Sequence, residues 1–246
     1  MIYQLIFLQF LAHLLADYIF QSQSWSNGKS RKPVTEFHVY HVLVVFACSW
    51  ILSFDPGYFF AAIGLTVIHF FTDVLKSYLV IRAKNNGTNK NYFFTDQLIH
   101  LIMLVVIPVA YQEWHGIHFI AEFSLKTIAV ITAFVFCSKP ANIIIKNMLT
   151  AFAIAIPTEE QPFIVRTEEQ NTEKSLPNAG KLIGIMERVL TLALILVGQY
   201  GAVGLIIAAK SILRFKDTQQ NEYILVGTLL SFGLAVLPAI LIAQFL

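Results

Sequence analysis

An all-α, polytopic membrane protein is the fold this sequence predicts, and three observations carry the prediction. Of 246 residues, 57% are hydrophobic and only 13% are charged, with a mean hydropathy of +0.66. The apolar residues gather into runs of roughly 17–25, the length that crosses a bilayer as a helix. The runs lack the short polar–apolar alternation of a membrane β-barrel. We expect about eight transmembrane helices (seven to eight), the first four forming a bundle that bears a cluster of His and Asp.

The first helix is expected from Tyr3 to Phe20, with Gln4, Gln9, His13 and Asp17 on one broad stripe. It has no basic n-region or small-residue cleavage site and reads as a retained span. The loop from Gln21 to Glu36 carries Lys29, Arg31 and Lys32, with Asn27-Gly28 as a turn signal. The second helix, Phe37 to Phe54, opens with His38 and His41, and Asp55-Pro56-Gly57 turns into the third, Tyr58 to Ile81. That helix carries His69, Asp73 and Lys76. Another basic loop (Arg82, Lys84, Lys90) leads to the fourth helix, Tyr92 to Ala110, with Asp96 and His100 in its first half.

The fifth helix is expected from His118 to Cys137, and Asn142 to Ile156 reads as an interfacial or short cytoplasm-facing helix. Pro157 to Ala179 is the one long hydrophilic stretch, rich in Glu and Pro, and reads as a cytoplasmic loop able to dock a cytosolic protein. Helices six (Leu182 to Gln199), seven (Ala202 to Phe215) and eight (Tyr223 to Phe245) follow. The expected organisation is therefore a four-helix module over 1–111, a connecting region over 112–156, the loop 157–179 and a three-helix module over 180–246.

Charge orients the chain. The first and third loops carry the Lys and Arg, while the connections near Asp55 and Glu113 carry none, so the basic loops face the cytoplasm. His13 and Asp17 then lie at the cytoplasmic end of helix one. His38 and His41 begin helix two from that side, His69 and Asp73 lie near the cytoplasmic end of helix three, and Asp96 and His100 begin helix four. At about 1.5 Å rise per residue, all eight groups fall in the same inner third of the membrane.

Pairs such as His13/Asp17, His69/Asp73 and Asp96/His100 are four residues apart, so each pair shares one helix face. Ionisable groups within membrane helices are costly and mark functional sites. Imidazole with carboxylate suits zinc first, with manganese or iron as alternatives. His13, Asp17, His69, Asp73 and His100 are the expected ligands. Asp96, His38 and His41 are expected as further ligands, orienting groups or a general base. Glu187, at the same depth in helix six, pairs with Lys210 or Arg214 or supplies a base. Cys48 and Cys137 lie in apolar runs and read as small packing residues. A net charge of +2 is small and implies no nucleic-acid footprint.

The motifs HLLADYIFQ, HVYHVLV, HFFTDVLK and DQLIHL, followed by GKLIGIMERVL and AAKSILRF, resemble the bacterial membrane proteins grouped as domain of unknown function 3307. The resemblance implies a multi-pass protein of the bacterial inner membrane. A more distant likeness, through the His-x-x-x-Asp spacing at His69 and Asp73, is to predicted membrane-bound metal-dependent hydrolases. Hydrolysis of a lipid-linked or membrane-delivered substrate at the cytoplasmic leaflet is the activity expected. A metal-ion or proton transporter, a b-type haem protein and a non-catalytic membrane partner are the alternatives.

Overall fold

The computed structural model describes residues 1–29, 32, 34–85, 92–119, 123–152, 179–214 and 221–246, and among them every regular element is helical. In order these are α1 (Ile2–Leu14, continued by a π-helical segment, Leu15–Phe20), α2 (Gln23–Lys29), α3 (Glu36–Ser53), α4 (Phe59–Asn85) and α5 (Phe93–His115), then α6 (Leu125–Cys137), α7 (Lys139–Ala151), α8 (Ala179–Leu196), α9 (Tyr200–Arg214) and α10 (Asn221–Phe245). A 3-10 turn, Pro56–Tyr58, joins α3 to α4.

Side chains are distributed the opposite way round from a soluble domain. Leu43, Ile51, Phe60, Phe71, Leu98 and Val106 are exposed, whereas Gln9, His13, His38, His41, His69, Asp73, Asp96 and His100 are buried. It is the arrangement that a lipid solvent favours, because apolar faces cost nothing there and polar groups must find partners inside. Among the described residues five helices are long and apolar enough to cross a membrane: Ile2–Phe20, Glu36–Ser53, Pro56–Ala83, Phe93–His115 and Leu225–Phe245. A sixth follows if the bent pair α6 and α7 counts as one span. The expected count of about eight is higher. Helix α8 carries Lys181, Glu187 and Arg188 within its 18 residues, and α9 is short.

The chain divides into two compact units, Met1–Pro140 with Gln244–Leu246, and Ala141–Ala243. In the first, α1 packs against α3, α5 and α6, while α4 touches α3 and α5 and closes the ring. Helix α6 therefore joins the bundle that the sequence reading confined to four helices. Leu5, Tyr58, Ala62, Tyr111 and Ile117 form one apolar layer, and Ala16, Val45, Leu65, Met103 and Leu104 form a second.

Asp55 fixes the end of the bundle near the first layer. Phe54 ends α3 in the left-handed region (φ 51°), and Asp55 accepts hydrogen bonds from the Gly57 amide (3.0 Å), the Tyr111 hydroxyl (3.0 Å) and the His118 amide (2.9 Å). At 3% exposure it has little water to replace them. Asp55→Ala is expected to cost about 2–4 kcal/mol, since bonds to a charged acceptor are each worth about 1.5–3 kcal/mol and the donors are stranded. Thermal unfolding in detergent checks this, and an unchanged midpoint would contradict it.

In the second unit, Arg188 is buried and donates to Ser231 Oγ (3.0 Å) and Asn142 Oδ1 (2.6 Å), and Glu187 is bonded to Lys210. The break between α8 and α9 comes at Gly198, whose φ of 76° suits glycine, whereas Gly201, expected in that turn, is helical. The hydrophilic stretch 157–179 lies outside the described residues except for Ala179.

Candidate metal centre

Helical spacing delivers the polar groups and bundle packing converges them. On α4, His69 and Asp73 are one turn apart on the buried face, next to α3 and α5. On α1 the segment Leu15–Phe20 widens to π geometry at Asp17, a local change often found where a helix serves a site. His13 Nδ1 and Asp17 Oδ1 lie 3.5 Å apart across it.

The tightest convergence is of four atoms from three helices. His41 Nε2 and His69 Nε2 are 2.9 Å apart. Asp17 Oδ1 is 3.5 Å from the first and 3.6 Å from the second. Asp73 Oδ2 is 3.6 and 3.8 Å from the same two atoms. Zinc bound at about 2.0–2.2 Å in a tetrahedron would hold its ligand atoms roughly 3.3–3.6 Å apart, which the four histidine–carboxylate separations approach, while the two Nε2 atoms lie closer together than that. Both rings bring their Nε2 edges to this point, and among the described residues neither Nδ1 has a hydrogen-bond partner. Ring packing orients them instead, with His69 and His100 centroids 4.3 Å apart.

The carboxylates are not equivalent. Asp73 is paired with Lys29 (2.5 Å) and Asp96 with Lys76 (2.7 Å). Among the described residues Asp17 has histidines only, and its Oδ1 is buried without a hydrogen-bond partner. Three carboxylates against two ammonium groups leave one negative charge over, at the atom the histidines surround.

The other candidates stand around this core. His13 completes a compact set with Asp17 and His69, and His100 another with Asp73 and Asp96. His100 Nδ1 lies 2.8 Å from the Asp96 carbonyl, which only accepts, so Nδ1 carries the proton and Nε2, 3.1 Å from Thr72 Oγ1, is the lone-pair side. His13 Nε2 approaches Gln97 Oε1 (3.4 Å), which also accepts from the Tyr18 hydroxyl (2.7 Å). His38 is engaged elsewhere. Its Nδ1 accepts from the Thr35 amide (3.2 Å) at the start of α3, and its Nε2 meets Ser77 Oγ at 3.2 Å. Glu187 belongs to the second unit and is engaged with Lys210.

Residues 5–124 match the family described as a protein of unknown function, DUF3307. Over those residues the chain belongs to the DUF3307 family. No curated protein and no solved structure matches it. The DUF3307 region contains every member of the centre and both lysines, and it leaves out α6–α10 with Glu187. Sequence reasoning missed Lys29 and Gln97 as members. Lys29 was assigned to a basic loop, and only its place on α2 shows that it points inward. His38 had a readable signal, because Thr35-Glu36-Phe37-His38 has the spacing of a capping box.

Proposed function

We propose that the DUF3307 region holds one divalent metal ion, zinc before manganese or iron, at Asp17, His41, His69 and Asp73. It would use the ion to hydrolyse a lipid-linked or membrane-delivered substrate at the cytoplasmic leaflet of a bacterial inner membrane. The observation that carries this reading is Asp17 Oδ1, a buried carboxylate oxygen with no ammonium partner among the described residues and faced by His41 and His69. A buried unpaired charge is too costly to keep without a counter-ion, and two neutral imidazoles with two carboxylates select a divalent one. Such an ion would supply a Lewis acid and an acidified water.

The chain's own groups divide the remaining work. His100, with Nδ1 committed to the Asp96 carbonyl, offers Nε2 as a proton acceptor beside the centre. His13 and Gln97 hold the Asp17 side, and His38 sets the start of α3. A cavity of about 10 Å³, lined by Gln9, His13, Ser49 and His69 among others, adjoins the centre and is no larger than a single water needs. Substrate therefore comes from the other end, where Lys76, at 33% side-chain exposure, is the most open of the paired groups.

Purification in detergent without chelator, followed by elemental mass spectrometry, is expected to find about one equivalent of metal, as the single unmatched carboxylate requires. Absence of metal after zinc, manganese and iron supplementation would sink the proposal. A second reading, a proton relay, has its own observation: His41, His69, His100 and His13 form a row with ring centroids 5.1, 4.3 and 5.3 Å apart. Against it stands the apolar layer of Leu5, Tyr58, Ala62, Tyr111 and Ile117 across the bundle. Proton flux in proteoliposomes from metal-free protein would favour the relay.

A further inference from the structure

We infer that the substrate of this centre is an anionic phosphoester and that Lys29 grips its phosphoryl oxygen, an inference that rests on the metal-centre reading above. It begins from a conflict over one atom. Asp73 Oδ2 receives the Lys29 ammonium at 2.5 Å, and the same oxygen faces His41 and His69 Nε2 at 3.6 and 3.8 Å. Were Asp73 to serve with Asp17, His41 and His69 as a metal ligand, the same oxygen would be a weaker acceptor for Lys29.

Lys29 has nowhere wet to go. It is 7% exposed, and it ends α2, where Gly28 lies so close to Phe37 that a Cβ there would meet the ring at 2.3 Å. With its amide oriented to satisfy both neighbours, Gln21 accepts from Lys29 Nζ at 3.1 Å and donates to the Asp17 carbonyl at 3.0 Å. That second acceptor is uncharged. A desolvated ammonium with a weakened anionic partner calls for another anion. Lys139, whose Nζ donates to the Gln21 carbonyl at 3.1 Å, adds a second cation beside Gln21.

A lysine serving only as a membrane anchor extends outward to the headgroups. Lys29 does the reverse. A carboxylic ester or a peptide bond brings no charge to balance it, whereas a phosphoester brings a negative oxygen able to bridge ion and ammonium. In the hydrolysis, a P–O bond to the water oxygen forms while the P–O bond to the alcohol breaks. The water's proton ends on the departing alkoxide, and nothing is oxidised or reduced.

The test uses the full chain in detergent, metal-free and zinc-loaded, with metal content measured on every sample. Inorganic phosphate, titrated by calorimetry, is expected to bind the zinc-loaded protein at least roughly tenfold more tightly than the metal-free protein, within the usual range of coupling between two ligands. Lys29→Met is expected to lose about tenfold of that affinity with metal content kept, and Lys29→Arg to retain most of it. Should Lys29→Met fail to fold, the wild-type protein still decides through p-nitrophenyl phosphate and phosphatidic acid in mixed micelles, set against p-nitrophenyl butyrate.

Cleavage of phosphatidic acid alone identifies a lipid headgroup as the phosphate source, and cleavage of the soluble ester alone identifies a free phosphoester. Metal bound, butyrate cleaved and phosphate neither bound nor released would overturn the phosphoester and leave the metal centre standing. Protein that takes up no metal would overturn both.

Discussion

Alanine in place of His69 is expected to leave the purified protein without its metal while the helices persist. His69 is fully buried, and its Nε2 lies within 4 Å of each of the other three donors: His41 at 2.9, Asp17 at 3.6 and Asp73 at 3.8 Å. Losing an orienting neighbour of a metal ligand typically weakens binding about 10–100-fold, and losing the ligand itself costs more. The vacated ring volume adds a packing cost of about 3 kcal/mol, at the low end for an aromatic side chain replaced by alanine. His38→Ala is the control. It removes a capping interaction worth about 1 kcal/mol and touches none of the four donors, so it keeps the metal. Elemental mass spectrometry with circular dichroism on both variants checks the pair. Equal stoichiometry in wild type and His69→Ala would refute the donor set.

Lys76→Met is expected to destabilise the protein by about 3 kcal/mol, and adding Asp96→Asn should recover most of the loss. Asp96 is 5% exposed overall and is bonded to Lys76 at 2.7 Å and to the Gln97 amide at 3.1 Å. Removing the ammonium strands a buried carboxylate, which usually costs about 3–5 kcal/mol, and the partial exposure of Lys76 puts this pair at the lower end. Denaturation in mixed micelles with SDS reads both steps. Additive losses in the double variant would mean that the two side chains act independently.

How much was legible follows from which forces are local. His13 with Asp17 and His69 with Asp73 could be read because one turn of helix stacks residues four apart, and because apolar runs mark the helices that carry them. Their common depth could be read because successive spans reverse direction while the pairs change ends. Lys29 could not be read in this way. A lysine after Asn27-Gly28 looks the same whether it faces headgroups or Asp73, and only the docking of α2 decides. The ranking among the histidines was also hidden, because it depends on how α3 is rotated against α4. That rotation brings His41 to 2.9 Å from His69 and turns His38 towards Ser77. Helix α6 was missed as part of the bundle although its buried face carries small residues four apart, Ala129, Ala133 and Cys137.

The ion pairs also bear on how the chain enters the bilayer. Asp73 and Lys76 are three residues apart on one helix, a spacing at which they can neutralise each other. In the finished bundle each has a partner from elsewhere, Lys29 from α2 and Asp96 from α5. Helix α4 can thus insert as a self-neutralised segment and exchange partners when α2 and α5 dock. On such a route membrane insertion and bundle assembly would be separable stages, joined by a hand-over of charge from the Asp73–Lys76 pair to Lys29 and Asp96.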